Sequence, residues 1–260
     1  MASIEIHPFE WMKGAPFVSR TSLQQAVFDE FVRERRKRRG DGIVVAPCGS
    51  GKTAMGLEQA MGSRKVLVVC WSRETALQMK NVATTYVGSG GKSLRQGVVV
   101  PFFGDEKFGG MNVGERLCMV VTTYQMLGGD EKERSDASME LLTQVKKTAW
   151  DLVILDEVHH AGAPTSKAAI EQLERAKDAS GRVTGRRIGL TASLKRTLEP
   201  ADEAAILAAD ESEREVTRKR LTMKHFAFVG ELIYDASMSN MRDRGLVANV
   251  EVKMVRVPLR

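Results

Sequence analysis

Two stretches of the chain hold side chains whose types and spacing can act together on a phosphorylated ligand. The first is Ala46-Pro47-Cys48-Gly49-Ser50-Gly51-Lys52-Thr53, entered from Ile43-Val44-Val45 and followed by Ala54, Met55, Leu57, Glu58, Gln59, Ala60 and Met61. A β-branched run, a glycine-containing turn and a set of good helix formers read as strand, loop and helix. Gly49 and Gly51 let the backbone curl until successive N–H groups point inward at phosphate oxygens, and a helix opening near Lys52 adds its positive end. The Lys52 ammonium then reaches the β- and γ-phosphates of a nucleotide, and the Thr53 hydroxyl ligates Mg²⁺. Ala46 stands where the pattern more often has glycine and keeps the strand end small.

The second stretch is Leu152-Val153-Ile154-Leu155-Asp156-Glu157-Val158-His159, two carboxylates and an imidazole at the end of a short apolar run. Strand C-termini are where ligands bind in open α/β sheets, so these acids face the side of the phosphate loop. Asp156 is suited to hold Mg²⁺ through water, and Glu157 to orient or deprotonate an attacking water. His159 is placed to sense the γ-phosphate, whereas His160 is less specific and reads as structural. A further run, Gly189-Leu190-Thr191-Ala192-Ser193, puts the hydroxyls of Thr191 and Ser193 at another strand end, able to link the nucleotide site to the rest of the molecule. Gly88-Ser89-Gly90-Gly91-Lys92-Ser93 also ends in Gly-Lys-Ser, but Tyr86 occupies the place of the first small residue and the segment precedes a strand-like run. It reads as a flexible basic loop.

The elements that must position these groups alternate along the chain. Residues 1–20, with Pro8 and Pro16, form an irregular lead-in; Leu23, Val27, Phe28, Phe31 and Val32 then recur at helical spacing, with Thr21 or Ser22 as N-cap. That helix ends in a basic run (Arg33, Arg35, Arg36, Lys37, Arg38, Arg39), which suits either a helix C-terminus or a polyanion. Strands are expected at 66–70, 98–103, 117–121, 152–155 and 187–190. Helices are expected after Ser72, around Met139 to Val145, over 166–177, and as one exposed helix over 201–220 with a Glu215–Lys219 pair. From Glu231 the pattern turns to short strand-like pieces. Continuous apolar strands separated by helices imply an α/β fold: a central, mostly parallel sheet covered by helices on both faces.

With 260 residues and 43% hydrophobic content, the chain can bury a substantial core. Thirty-nine basic and 33 acidic residues leave +6, which favours a polyanionic partner. Three scattered cysteines (Cys48, Cys70, Cys118) imply a reducing, intracellular setting, and His7, His159, His160 and Cys48 do not fall at structural-zinc spacing. No apolar run approaches the roughly 20 residues of a membrane span, so no membrane partner is expected.

In this order, Ala-x-x-Gly-x-Gly-Lys-Thr, Asp-Glu-Val-His and Thr-Ala-Ser resemble motifs I, II and III of superfamily 2 helicases. More narrowly, Pro47-Cys48-Gly49, Thr122-Thr123-Tyr124-Gln125-Met126-Leu127, Trp150-Asp151 leading into Asp156-Glu157-Val158-His159, and Gly189-Leu190-Thr191-Ala192-Ser193-Leu194 are similar to the XPB family of DNA translocases. Tyr234-Asp235-Ala236 and Gly245-Leu246-Val247-Ala248-Asn249-Val250 resemble that family's passage out of its first RecA-like lobe. The resemblance implies a lead-in over 1–40, a RecA-like P-loop lobe over 41–230 that binds ATP and Mg²⁺, and an exit segment over 231–260. It implies catalytic roles for Lys52, Asp156 and Glu157, coupling through His159, Thr191 and Ser193, and adenine recognition by Gln24. Ser72, Gln78, Thr122, Thr123 and the retained Arg196 become contacts to a DNA backbone, read without regard to sequence; Arg182, Arg186 and Arg187 are either further contacts or a solvated turn.

Two departures from the family pattern stand out. Thr197 and Leu198 replace the acids that follow the arginine of the family's Arg-Glu-Asp triplet. Motifs V and VI of a second lobe, with their arginine finger, are absent from these 260 residues, so turnover by them alone is expected to be weak. The partners implied are double-stranded DNA, a second RecA-like lobe in cis or trans, and a multi-subunit transcription or repair complex, in the nucleus of a eukaryote or the cytoplasm of a prokaryote. The competing readings are a non-catalytic one-lobe nucleotide-binding module and an RNA-directed helicase.

Overall fold

The computed structural model describes residues 22–37, 40–86, 94, 98–102, 118–129, 134–193, 200–236 and 241. Seven strands form its sheet: β1 (Gly42–Val45), β2 (Lys65–Cys70), β3 (Val98–Phe102), β4 (Cys118–Thr123), β5 (Leu152–Leu155), β6 (Arg186–Thr191) and β7 (Glu231–Asp235). The helices are α1 (Ser22–Lys37), α2 (Lys52–Ala60), α3 (Arg73–Thr85), α4 (Tyr124–Gly128), α5 (Asp136–Lys147), α6 (Pro164–Glu171), α7 (Pro200–Ala208) and α8 (Arg214–His225), with a short 3-10 helix at Val158–Gly162. The strands lie in the order β3-β4-β2-β5-β6-β1-β7, and every pairing is parallel. This is the α/β arrangement that the alternating pattern implied, in the RecA-like form that the family resemblance implied.

Because successive side chains on a strand point to opposite faces, the continuous apolar strands feed two cores. Val44, Ala46, Val66, Val68, Ile154 and Leu190 pack with the apolar stripes of α1, α2 and α3 on one face. Ile43, Val45, Leu67, Val69, Val153 and Leu155 pack on the other with residues of α4, α5 and α6 and with Phe226 and Val229. The first helix is part of the first core: Phe31 is fully buried, and the Tyr234 hydroxyl of β7 donates to the Val27 carbonyl at 3.1 Å. At the opposite, N-terminal edge of the sheet, Asp41 pairs with Arg175 at 2.8 Å and accepts the Arg187 backbone N–H.

Two helices differ from the sequence reading. The one expected over 166–177 ends at Glu171. Beyond it the chain is extended: Trp150 N–H donates to the Glu174 carbonyl, Ala176 N–H donates to the Trp150 carbonyl, and Leu173 is buried. Tertiary hydrogen bonds and burial outweigh the helix propensity of an Ala- and Glu-rich segment. The single helix expected over 201–220 is two, α7 and α8, separated by a turn in which Glu213 N–H donates to the Asp210 carbonyl. Arg214 closes the break by donating to the Ala209 carbonyl, and His225 of α8 meets Asp202 of α7 at 2.9 Å. The Gly88–Ser93 loop and Arg196 lie outside the described residues, as do the side chains of Gln24 and Lys219.

Candidate functional site

Register brings the separate motifs to one edge. Ile43 of β1 and Leu155 of β5 both pair with Gly189 of the intervening β6, so β5 ends two residues short of the level ends of β1 (Val45) and β6 (Thr191), and Asp156 and Glu157 follow beside those ends. Ala46 N–H donates to the Thr191 carbonyl at 2.9 Å, and Asp156 N–H donates to the Val69 carbonyl at 2.8 Å, carrying the pairing just past each strand end. Gly189 also gives the turn after β5 its room: a Cβ there would lie 3.0 Å from the Val158 methyls.

The loop from β1 to α2 has the expected geometry. Gly49 and Gly51 adopt positive φ, 78° and 93°, where a side chain would be strained. The Ser50 hydroxyl donates to the Pro47 carbonyl at 2.7 Å and tightens the turn. Gly51 caps α2 without any side-chain hydrogen bond, so the cap leaves the first N–H groups of that helix open to another acceptor. Such a helix start attracts an anion. Thr53 lies in its first turn, half-buried.

Lys52 Nζ stands 3.5 Å from Glu157 Oε1, and His159 Nδ1 stands 3.4 Å from Glu157 Oε2. Glu157 itself has φ 46° and ψ 55°, and among the described residues it is the only non-glycine with positive φ. That conformation costs about 1–2 kcal/mol and is sustained because Val158 is buried behind it. Glu157 Oε2 is buried without a hydrogen-bond partner. A buried carboxylate oxygen left in this way beside an ammonium and an uncapped helix start fits a site built to receive more polar groups.

Burial pushes the Asp156 carboxyl up to about 6, with repulsion from Glu157 adding to it and Lys52 opposing it. The Tyr124 hydroxyl of α4 donates to the Asp156 carbonyl at 2.9 Å and fixes the backbone there. The Thr191 hydroxyl, fully buried, donates to the Ser193 carbonyl at 2.8 Å. Its proton being committed, the same oxygen accepts from His159 Nδ1 at 3.0 Å, which assigns the hydrogen of that imidazole to Nδ1. His159 therefore donates to Thr191, which leads on to Ser193, and its ring stands 3.4 Å from Glu157 without a hydrogen bond to it. Lys52, Asp156, Glu157, His159, Thr191 and the 46–53 loop are all brought together.

The expected strand contacts fare unevenly. Gln78 is exposed on α3, and Ser72 is half-buried as the N-cap of that helix, accepting from Thr75 N–H at 3.3 Å. Thr123 is buried and caps α4, accepting from Met126 N–H at 3.2 Å. Thr122 corrects the reading outright: it is completely buried, and its hydroxyl donates to the Phe102 carbonyl at 2.7 Å, so it holds β3 to β4. Arg186 and Arg187 lie at the start of β6, on the edge away from the site. Arg187 is buried and donates to the carbonyls of Ile170 and Phe228, whereas Arg182 pairs with Asp178 at 3.1 Å. Arg187 is structural, whereas Arg182 is a surface pair with its side chain 80% exposed, as a solvated turn has it. Sequence reasoning missed Tyr124, which lies inside a quoted motif, and Trp71, next to a quoted serine.

Residues 18–196 match the protein family described as type III restriction enzyme, res subunit. Among curated proteins, the chain is 26% identical over 225 residues to the general transcription and DNA repair factor IIH helicase/translocase subunit XPB of Dictyostelium discoideum, covering 85% of this chain and 23% of that protein. It is 28% identical over 223 residues to the DNA 3'-5' helicase XPB of Mycobacterium tuberculosis, covering 85% of this chain and 32% of that protein. The helicase domain of Hef from Pyrococcus furiosus aligns with 91% of the chain and 42% of its own, at 16% identity and a TM-score of 0.49. The chain thus spans a quarter to a third of the length of these two curated relatives.

Proposed function

Since the chain belongs to the family described as type III restriction enzyme, res subunit, we propose that it is the ATP-binding first RecA-like lobe of a DNA-dependent ATPase of the XPB kind. The observation that carries this reading is the meeting of Lys52, Glu157 and the uncapped start of α2 at one sheet edge, with Glu157 Oε2 buried and unpartnered. The backbone N–H groups after Gly51 and the Lys52 ammonium bind the phosphates. Thr53 and Asp156 are the residues that would hold Mg²⁺, which would supply positive charge at the phosphates and favour the ionised form of the raised Asp156 carboxyl. Lys52 then turns from Glu157 to phosphate, and the freed carboxylate accepts a proton from the attacking water. His159 keeps Glu157 oriented and passes its position to Thr191 and Ser193.

The polyanionic partner is DNA, touched at its backbone from the side of Ser72 and Gln78, with a second lobe supplying the arginine that these residues lack. Hydrolysis of Mg·ATP is measured with duplex DNA, single-stranded DNA and RNA, alongside binding of each by anisotropy across a salt series. The reading expects slow turnover by the 260 residues alone, raised by duplex DNA, and affinity that falls steeply with salt. Stimulation by RNA alone refutes the DNA assignment. Mg·ATP binding with no turnover under any condition, even with a second lobe added, refutes the enzyme.

A further inference from the structure

Trp71 follows the last residue of β2 and leaves the sheet beside the turn after β5, where Val69 pairs with Leu155. The residue is 52% exposed, yet one face of its ring lies flat on the His160 imidazole, with centroids 3.6 Å apart and planes within 17°. The His160 ring in turn lies 4.1 Å from that of His159, tilted by 41°. Burial and the neighbouring His159 hold the His160 imidazole below its usual range, toward the neutral form that stacks without a charge to hydrate. Three rings thus run from the surface to the imidazole that contacts both Glu157 and Thr191.

An imidazole on a 3-10 turn rotates about its last side-chain bond unless neighbours hold it, because that torsion has broad minima. On its inner side His159 donates to Thr191 and stands 3.4 Å from Glu157; on its outer side its only aromatic contact among the described residues is His160, itself backed by Trp71. We propose that Trp71 is a positioning residue for hydrolysis: by clamping His160 it fixes the His159 ring in the orientation that hydrogen-bonds Thr191 and sets the ring against Glu157. The inference rests on the ATPase reading for its catalytic consequence. It does not rest on it for the geometry of the rings.

The test uses the full 260-residue chain with Trp71→Ala and Trp71→Phe. Three quantities are compared: Mg·ATP affinity, single-turnover hydrolysis at excess protein, and the His159 ring resonances in a ¹H–¹⁵N spectrum. Trp71→Ala is expected to leave affinity within about twofold and slow hydrolysis about tenfold, the scale of a displaced reacting group. It should also shift or broaden the His159 ring signals, with Trp71→Phe restoring both. Unchanged His159 signals and turnover in Trp71→Ala overturn the proposal. So does a parallel loss of affinity and melting temperature that Trp71→Phe does not rescue, which marks a purely structural tryptophan. If the wild-type chain shows no hydrolysis even with a second lobe added, the ATPase reading fails by itself, and the ring resonances still decide the clamp.

Discussion

Asp156→Asn should make the metal-free protein more stable, not less. Burial and Glu157 raise this carboxyl from its ordinary 3.8 to about 6 in the folded chain. Below the ordinary value both folded and unfolded chains are protonated, and the site costs nothing. Between 3.8 and about 6 the folded chain keeps a proton that the unfolded chain has released, so stability falls as pH rises. Above about 6 the loss is complete, and a rise of this size corresponds to about 3 kcal/mol at 1.36 kcal/mol per pH unit. Asparagine has nearly the same shape but also resists burial, so the expected gain at pH 7.5 is about 1–3 kcal/mol. At roughly 2–4 °C per kcal/mol, the variant should melt about 2–12 °C higher. Thermal unfolding followed by circular dichroism in EDTA, from pH 4.5 to 8, reads this directly. The gap should widen with pH up to about 7, then close or reverse when Mg·ATP is added. A variant no more stable than wild type at pH 7.5 without metal, or a gap independent of pH, refutes the reasoning.

Cys48 is exposed, while Cys70 and Cys118 are buried with thiols pushed above their usual range by that burial. Brief iodoacetamide treatment followed by mass spectrometry should therefore label Cys48 first, and Mg·ATP at ten times its Kd should slow labelling roughly tenfold by occupying the loop. Arg175→Ala removes the 2.8 Å pair with Asp41 and the donation to the Gly185 carbonyl, far from the site. Urea unfolding should show a loss of about 2 kcal/mol with nucleotide affinity unchanged.

The sequence pattern carried what depends on short-range chemistry. The 46–53 loop was legible because only a glycine-rich turn between a strand and a helix gives this spacing, and Gly49 and Gly51 sit at positive φ as that turn requires. The parallel sheet followed from continuous apolar runs such as Val66 to Val69, all fully buried. What depends on tertiary partners was not legible. Residues 172–177 are drawn out of a helix by Trp150, and 201–220 breaks where Arg214 finds the Ala209 carbonyl. Thr122 looks like a surface hydroxyl in the string, yet its strand lies between two others and its hydroxyl is spent on Phe102. Trp71 and His160 are 89 positions apart (160 − 71), and no local pattern signals a stack across that distance.

The central claim is that Lys52 and Glu157 belong to one nucleotide site and divide its work. Calorimetric titration of Mg·ATP into the wild-type chain, Lys52→Ala and Glu157→Gln tests it most directly. Lys52 contacts phosphate in the bound ground state, whereas Glu157 acts on water during reaction. Saturable binding by the wild type, its loss in Lys52→Ala and its retention in Glu157→Gln are predicted. Binding unchanged in Lys52→Ala, or equal loss in both variants, contradicts the account.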